Sequence, residues 1–211
     1  MIAAKQIMFQ VISLLSFSSL ALAAVPFGET VTLTPSGDTT VRGGSYENDN
    51  LSTSGTFGTK QSKTPLNTRE GLVKFTLTDL YATGGVVSSA ILTLQVRSNN
   101  NDAGTAEIAV SSILDDEWED NVVTFATKPT YASTPIETKF APPKGDEMTF
   151  DLTDAITTAW SFGSKTVSFA FTGLTTSAVS FASIDDTKVC RFLCSRKWLV
   201  LGAMSMPLNL S

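Results

Sequence analysis

Leu72-Val73-Lys74-Phe75-Thr76-Leu77 and Ala90-Ile91-Leu92-Thr93-Leu94-Gln95-Val96-Arg97 decide the fold. Both run at a period of two, the repeat of a chain whose successive side chains point to opposite faces of a pleated sheet. Neither carries the three-to-four spacing of an amphipathic helix. The Gly84-Gly85 pair between them predicts a turn. The inward faces are expected to carry Leu72, Phe75 or its neighbours, and Leu92, Leu94 and Val96.

Working outward, short strand signals recur at Thr30–Thr34, Thr39–Arg42, Glu107–Ile113, Val122–Phe125, Glu147–Asp151, Thr166–Thr172 and Ala178–Phe181. Each is bounded by turn-forming residues, as at Ser36-Gly37 and Pro142-Pro143. Eight or nine short strands at this spacing predict an all-β antiparallel β-sandwich or jelly roll. One short helix interrupts it at Thr153–Trp160, where Ile156 and Trp160 stand one turn apart, Thr or Asp can cap the start and Gly163 stops it. The Gly-, Ser-, Thr- and Asn-rich stretch from Gly43 to Asn67 reads as a loop with apolar anchors at Tyr46, Leu51, Phe57 and Leu66. Loops of that length usually have a functional reason.

The N-terminus sets the expected compartment. Lys5 precedes an apolar run from Ile7 to Leu22 that closes on Ala21-Leu22-Ala23, the pattern of a secretory signal peptide over residues 1–23. The run is short for a bilayer span, so no membrane-spanning segment is expected and the protein is read as secreted. The remaining chain is long enough for one core, read as a single module over 24–184, and a monomer is expected. The segment 185–211 differs: Cys190-Arg191-Phe192-Leu193-Cys194-Ser195-Arg196-Lys197-Trp198 is basic and apolar, which fits either a divergent last strand or a gene-model artefact. Cys190 and Cys194 are the only cysteines, so disulfides do not scaffold the core. Two Asn-x-Ser sequences, Asn50-Leu51-Ser52 and Asn209-Leu210-Ser211, match the N-glycan acceptor pattern, the first in a loop.

Charge narrows the function classes. A net charge of −5 argues against nucleic-acid binding, which needs a basic face. The charge is nevertheless segregated. Lys60, Lys63, Arg69 and Lys74 face Glu70 alone between Leu51 and Phe75, whereas twelve acidic residues lie between Asn101 and Trp160. Arg42, Lys60, Lys63, Arg69, Lys74 and Arg97 are therefore the candidates for gripping carboxylates: Arg offers a planar fork, Lys a flexible point charge. The competing reading is solvated surface cations, with Arg69 and Glu70 as a structural ion pair. Strand alternation also prevents all six from sharing one face.

Chemistry beyond binding has little support. The chain contains no histidine, which removes the commonest general base and metal ligand. A lyase would need Tyr46, Tyr81 or a lysine as base, and no spacing marks an activated carboxylate pair. Trp118 beside Glu119 can be read as a sugar-stacking pair, although a core indole is the plainer reading, as it is for Trp160. No cofactor is expected. Asp38, Asp151 and the Asp115–Asp120 cluster can supply oxygens to a structural calcium, but turn capping explains them more simply.

Several motifs, in order, resemble one family. Asp38-Thr39-Thr40-Val41-Arg42-Gly43-Gly44 is similar to the opening segment of the DNRLRE-type domain, carbohydrate-binding module family 96. Thr68-Arg69-Glu70-Gly71-Leu72-Val73-Lys74-Phe75 resembles its Arg-containing strand, and Val86 to Leu94 the strand after it. Asp116-Glu117-Trp118-Glu119-Asp120-Asn121-Val122-Val123-Thr124-Phe125 with Lys128-Pro129 resembles its Trp-containing signature, Phe125 replacing a second Trp. Phe150 to Ala155, with Trp160 and Gly163, resembles the segment before the last strands. The resemblance spans Thr30 to Ser183 and departs at the end. It implies a non-catalytic jelly roll that binds polysaccharide, acidic polymers such as alginate above all. The alternatives are an extracellular structural or adhesive protein, a neutral-glycan binder and a polysaccharide lyase.

Overall fold

The structure is a computed structural model, described here for residues 30–33, 35–63, 65–82, 86–99, 105–184 and 191–197. The expected signal peptide, the Gly84-Gly85 turn, Cys190 and the Asn209 sequence lie outside these residues. The strands are β1 (Thr30–Leu33), β2 (Pro35–Arg42), β3 (Thr56–Thr59), β4 (Arg69–Thr76), β5 (Val86–Asn99), β6 (Glu107–Ser112), β7 (Glu137–Phe140), β8 (Glu147–Asp151), β9 (Thr166–Gly173), β10 (Val179–Ala182) and β11 (Arg191–Lys197). Two helices join them, the single turn α1 (Thr78–Ala82) and the longer α2 (Thr153–Ser161).

All strand pairs are antiparallel, and they form two sheets. One has the order β1-β11-β5-β10-β3 with β8 also on β5; the other has the order β2-β4-β9-β6-β7. The expected all-β sandwich is the observed architecture. β5 is its spine. β11 and β8 both pair with Ile91 to Thr93 and so occupy opposite edges of β5. Val96 meets the 145–146 turn on the β8 side, so β10, paired with Val96 to Asn99, lies end to end with β11 on the other edge. Arg191–Lys197 thus fills the slot between β1 and β5, in the segment that departs from the family pattern.

Between the sheets, Phe57, Phe75, Phe150, Phe169, Phe171 and Phe181 are fully buried. Their rings meet at tilted and edge-on angles, with centroids 5.4 Å apart for Phe57 and Phe181 and 5.6 Å for Phe150 and Phe171. Burial of each phenylalanine contributes roughly 1.5–3 kcal/mol. Leu92, Leu94 and Val96 point into this core as the alternation predicts. On β4 the inward residues are Val73 and Phe75, and Leu72 faces the other way. That corrects the expected face: Leu72 and Phe75 differ by an odd number of residues and cannot share one side of a regular strand. Leu72 instead joins Val41, Ile113, Trp118, Val123 and Ala170 in a second cluster outside the five-stranded sheet.

The rest of the sequence reading divides by context. α2 forms where expected, with Ile156 buried and Gly163 at φ 71° ending it. Its start is held by Asp151, whose Oδ1 accepts from the Thr153 amide at 3.0 Å and hydroxyl at 2.5 Å. Trp160 stacks on Tyr81, centroids 4.1 Å apart, and packs against the core. The strand expected at Val122–Phe125 is absent. The Val122 and Val123 amides turn back to the Glu119 carbonyl, and Thr127 Oγ1 takes the Thr124 amide. Conversely, the expected 43–67 loop contains β3, and β7 was not anticipated.

Where the sheets meet, side chains close the seams. Glu137 Oε2 accepts from the Asp151 amide at 2.9 Å, and Lys139 Nζ donates to the Thr149 carbonyl at 2.7 Å, so β7 occupies the open edge of β8. On the far side, Thr40 Oγ1 accepts from the Gly58 amide at 2.9 Å. The chain then crosses there, because Lys60 and Arg69 exchange backbone hydrogen bonds of 3.0 and 2.8 Å.

Candidate functional site

The crossing corner builds a groove. β2 and β4 run side by side with Arg42 directly opposite Arg69. Arg69 has the same parity as Gly71, Val73 and Phe75, so it extends the inner face of β4 to the rim, where β3 ends. Thr40, Arg42, Leu51, Ser54, Thr56, Gly58, Arg69 and Ser180 line the groove. Past the Lys60–Arg69 bridge it continues into a second hollow that includes Gln61, Lys63, Arg69, Thr172 and Leu174. Arg69 lines both.

Two cations facing each other across adjacent strands repel, so something must hold them. Arg42 is fixed by Asn67, whose Oδ1 accepts from Nε at 3.2 Å and Nη2 at 2.8 Å, and by Tyr46, whose ring centroid lies 3.8 Å from the guanidinium carbon. Tyr46 stays 39% exposed and Leu66 65% exposed beside it. Their 3-10 turns, Gly44–Tyr46 and Pro65–Asn67, pack closely at Gly44, whose φ is 76° and where a Cβ would stand 2.3 Å from the Leu66 carbonyl oxygen. Only glycine fits there.

Arg69 is held less completely. Its Nε is buried without a hydrogen-bond partner. Burial first, and the Arg42 charge second, push its guanidinium below the usual arginine range, with Tyr46 opposing. Two guanidiniums facing each other at the rim of one groove are suited to an anion, whose charge would cancel the repulsion.

The six predicted cations therefore separate. Arg42 and Arg69 line the groove, Lys63 lines the second hollow with Arg69, and Lys60 joins this corner through its backbone pairing with Arg69. Lys74, five residues from Arg69, lies on the outer face of the sheet, its Nζ bonded to the Trp118 carbonyl and 4.7 Å from the indole centroid. Arg97 occupies the bulge of β5 opposite Ser180 and Phe181, on the other sheet. Glu70 is not the partner expected for Arg69: its carboxylate accepts from Lys128 Nζ and from Tyr131 Oη at 2.8 Å, on the outer face. Sequence reasoning named Tyr46 as an apolar anchor and as a base that a lyase would need, not as the ring that holds Arg42, and missed Thr40, Thr56, Asn67 and Ser180 as groove residues. No motif marks them, because the strand pairing alone brings them together.

The other candidates have structural roles. Trp118 is 8% exposed in the outer cluster, so it is no sugar platform, although its Nε1 lacks the partner expected of a buried indole. Asp115 caps the Glu117 amide at 3.0 Å. Asp38 is buried and accepts from Ser183 Oγ at 2.7 Å and the Ile184 amide at 2.6 Å. Among the described residues no three metal-ligating side chains converge. Tyr81 donates to the Ser164 carbonyl at 2.9 Å, and burial raises its pKa, which suits packing rather than proton abstraction. No helix among the described residues is long and apolar enough to cross a membrane.

A two-sheet jelly roll with a side-chain-lined rim groove is a common form of binding module. The comparison with protein families agrees: the pattern of carbohydrate-binding module family 96 matches residues 29–191, and the chain belongs to that family. No curated protein matches the chain.

Proposed function

We propose that this chain is a secreted, non-catalytic module that binds anionic polysaccharide at the corner formed by Arg42, Lys60, Lys63 and Arg69. The observation that carries this reading is the Arg42–Arg69 pair, two like-charged side chains that face each other and line one groove. A carboxylate placed between the two guanidiniums accepts hydrogen bonds from both, while Thr56 adds a hydroxyl to the lining and Thr40 and Ser180, bonded to the Gly58 amide and the Ser98 hydroxyl, add polar surface. Tyr46, partly exposed behind Arg42, adds apolar surface beside the groove. Alginate is the probe of choice because each of its residues carries a carboxylate.

Affinity electrophoresis of the chain from Val25 onward in alginate and in a neutral glucan, at low and high salt, tests the reading. Retardation by alginate alone that weakens with salt is expected. Equal retardation by the neutral glucan, insensitive to salt, overturns the charged groove, and release of unsaturated or reducing ends overturns the non-catalytic assignment.

A further inference from the structure

The Asn50-Leu51-Ser52 sequence has the form of a glycan acceptor, but its asparagine is already occupied. Asn50 Nδ2 donates to the Asp120 carbonyl at 2.7 Å and to the Val123 carbonyl at 2.9 Å. A primary amide carries two hydrogens, and both are in use. Its Oδ1 accepts from the Ser52 amide at 3.2 Å and the Ser52 hydroxyl at 2.8 Å. Nearby, the Ala126 amide donates to the Glu47 carbonyl at 2.9 Å. The groove-wall segment is thereby fastened to the turns around Trp118 at Asn50, while its far end is held at the sheet by Ser54 Oγ on the Thr56 carbonyl and by the Ser183 amide on the Gly55 carbonyl.

We infer that Asn50 is a positioning residue that sets the wall of the binding groove, and that attachment of a glycan to it is incompatible with the formed groove. Glycosylation would join Nδ2 to the anomeric carbon of an oligosaccharide, break that carbon's bond to its lipid-pyrophosphate carrier and release one amide proton. The nitrogen then keeps one hydrogen for two carbonyls, and the sugar occupies the space of one of them. The inference about the groove rests on the polysaccharide-binding reading.

The test compares wild type, Asn50→Ala and Ser52→Ala, made in a bacterium and in a eukaryotic secretory host. Each is assayed for alginate retardation well below its melting temperature, for the salt dependence of that retardation, and for glycan mass. Ser52→Ala removes the acceptor sequence and leaves both Nδ2 bonds, so its affinity is expected within about twofold of wild type. Asn50→Ala is expected to lose about tenfold in affinity while its salt dependence persists, because the cations remain. Wild type from the secretory host is expected to show no glycan on Asn50 in the polymer-retained fraction. Unchanged affinity of folded Asn50→Ala, or a glycan on Asn50 in retained protein, overturns the inference. Failure of bacterial wild type to bind overturns the underlying groove reading instead.

Discussion

Arg42 and Arg69 are register partners on neighbouring strands, two guanidiniums aimed from β2 and β4 into one groove. Arg42 is held by one acceptor, Asn67 Oδ1, and by the Tyr46 ring, whereas the Arg69 Nε has no partner. Arg69→Gln keeps a hydrogen-bonding side chain while removing the charge. It is expected to weaken alginate binding by about tenfold and to flatten its salt dependence. Thermal stability should hold or rise slightly, because a like-charge pair is relieved. Lys74→Gln, on the outer face, should leave binding unchanged; affinity electrophoresis with parallel melting curves checks both.

A second charged group stabilises the outer face. The Glu70 carboxylate is nearly buried and accepts from Lys128 and Tyr131, while Lys128 also lies 4.2 Å from the Phe125 centroid. Lys128→Met leaves that carboxylate with one neutral donor and is expected to cost about 2 kcal/mol in urea unfolding.

Tyr131 gives this cluster a pH signature. Burial, then the Glu70 charge and hydrogen bond, raise the Tyr131 pKa well above that of free tyrosine. Above pH about 10 the unfolded chain loses the tyrosine proton and the folded chain keeps it. The unfolded state then binds fewer protons, and stability falls as pH rises. Urea midpoints between pH 8 and 11 should decline more steeply for wild type than for Tyr131→Phe, whose baseline is lower by about 1 kcal/mol for the lost hydrogen bond.

The inner face of β4 tolerates no added volume beside the groove. A Cβ on Gly71 would lie 2.7 Å from Phe57 Cδ2, and Phe57 is itself wedged against Phe171 and Phe181. Gly71→Ala is expected to destabilise by about 1–3 kcal/mol, read from the shift in denaturation midpoint.

At the acidic end, Asp151 reports on α2. Hydrogen bonds from the Thr153 side chain and amide hold its carboxyl below the usual aspartate range. The stabilisation is present above the unfolded pKa and disappears as pH falls through the lower folded value. The protection factor of the Thr153 amide, its exchange rate corrected for the intrinsic rate at each pH, should therefore fall on acidification below pH 4, and Asp151→Ala should show the lower protection already at pH 7.

The long strands were legible because β5 alternates over its length with one buried face, and β9 alternates large and small residues, Phe169 and Phe171 entering the core while Ala170 lies under the outer cluster. β3 was not, since Thr56-Phe57-Gly58-Thr59 offers one apolar side chain in a glycine-rich stretch, and its identity comes from β10 and the Lys60–Arg69 crossing. Val122–Phe125 failed in the opposite sense: it has strand-like residues and no neighbouring strand, so Val122 stays exposed and Val123 packs on the outer cluster. The site was half legible. Composition concentrated the cations, and parity alone separates Lys74 from Arg69. Nothing local in the sequence announces that Tyr46 and Asn67 converge on Arg42.

The seam between β7 and β8 has a consequence for handling and assembly. A bare sheet edge is a template on which another molecule's strand can add, and β8 would be one were its Asp151 amide and Thr149 carbonyl not already bonded to Glu137 and Lys139. The closure uses side chains that leave the backbone intact, so two point changes are enough to turn a self-contained module into a sticky one. Replacing both residues with alanine would shift the protein's concentration limit before its melting point, which makes this strand pair the part of the surface to leave untouched when the module is fused, tagged or redesigned.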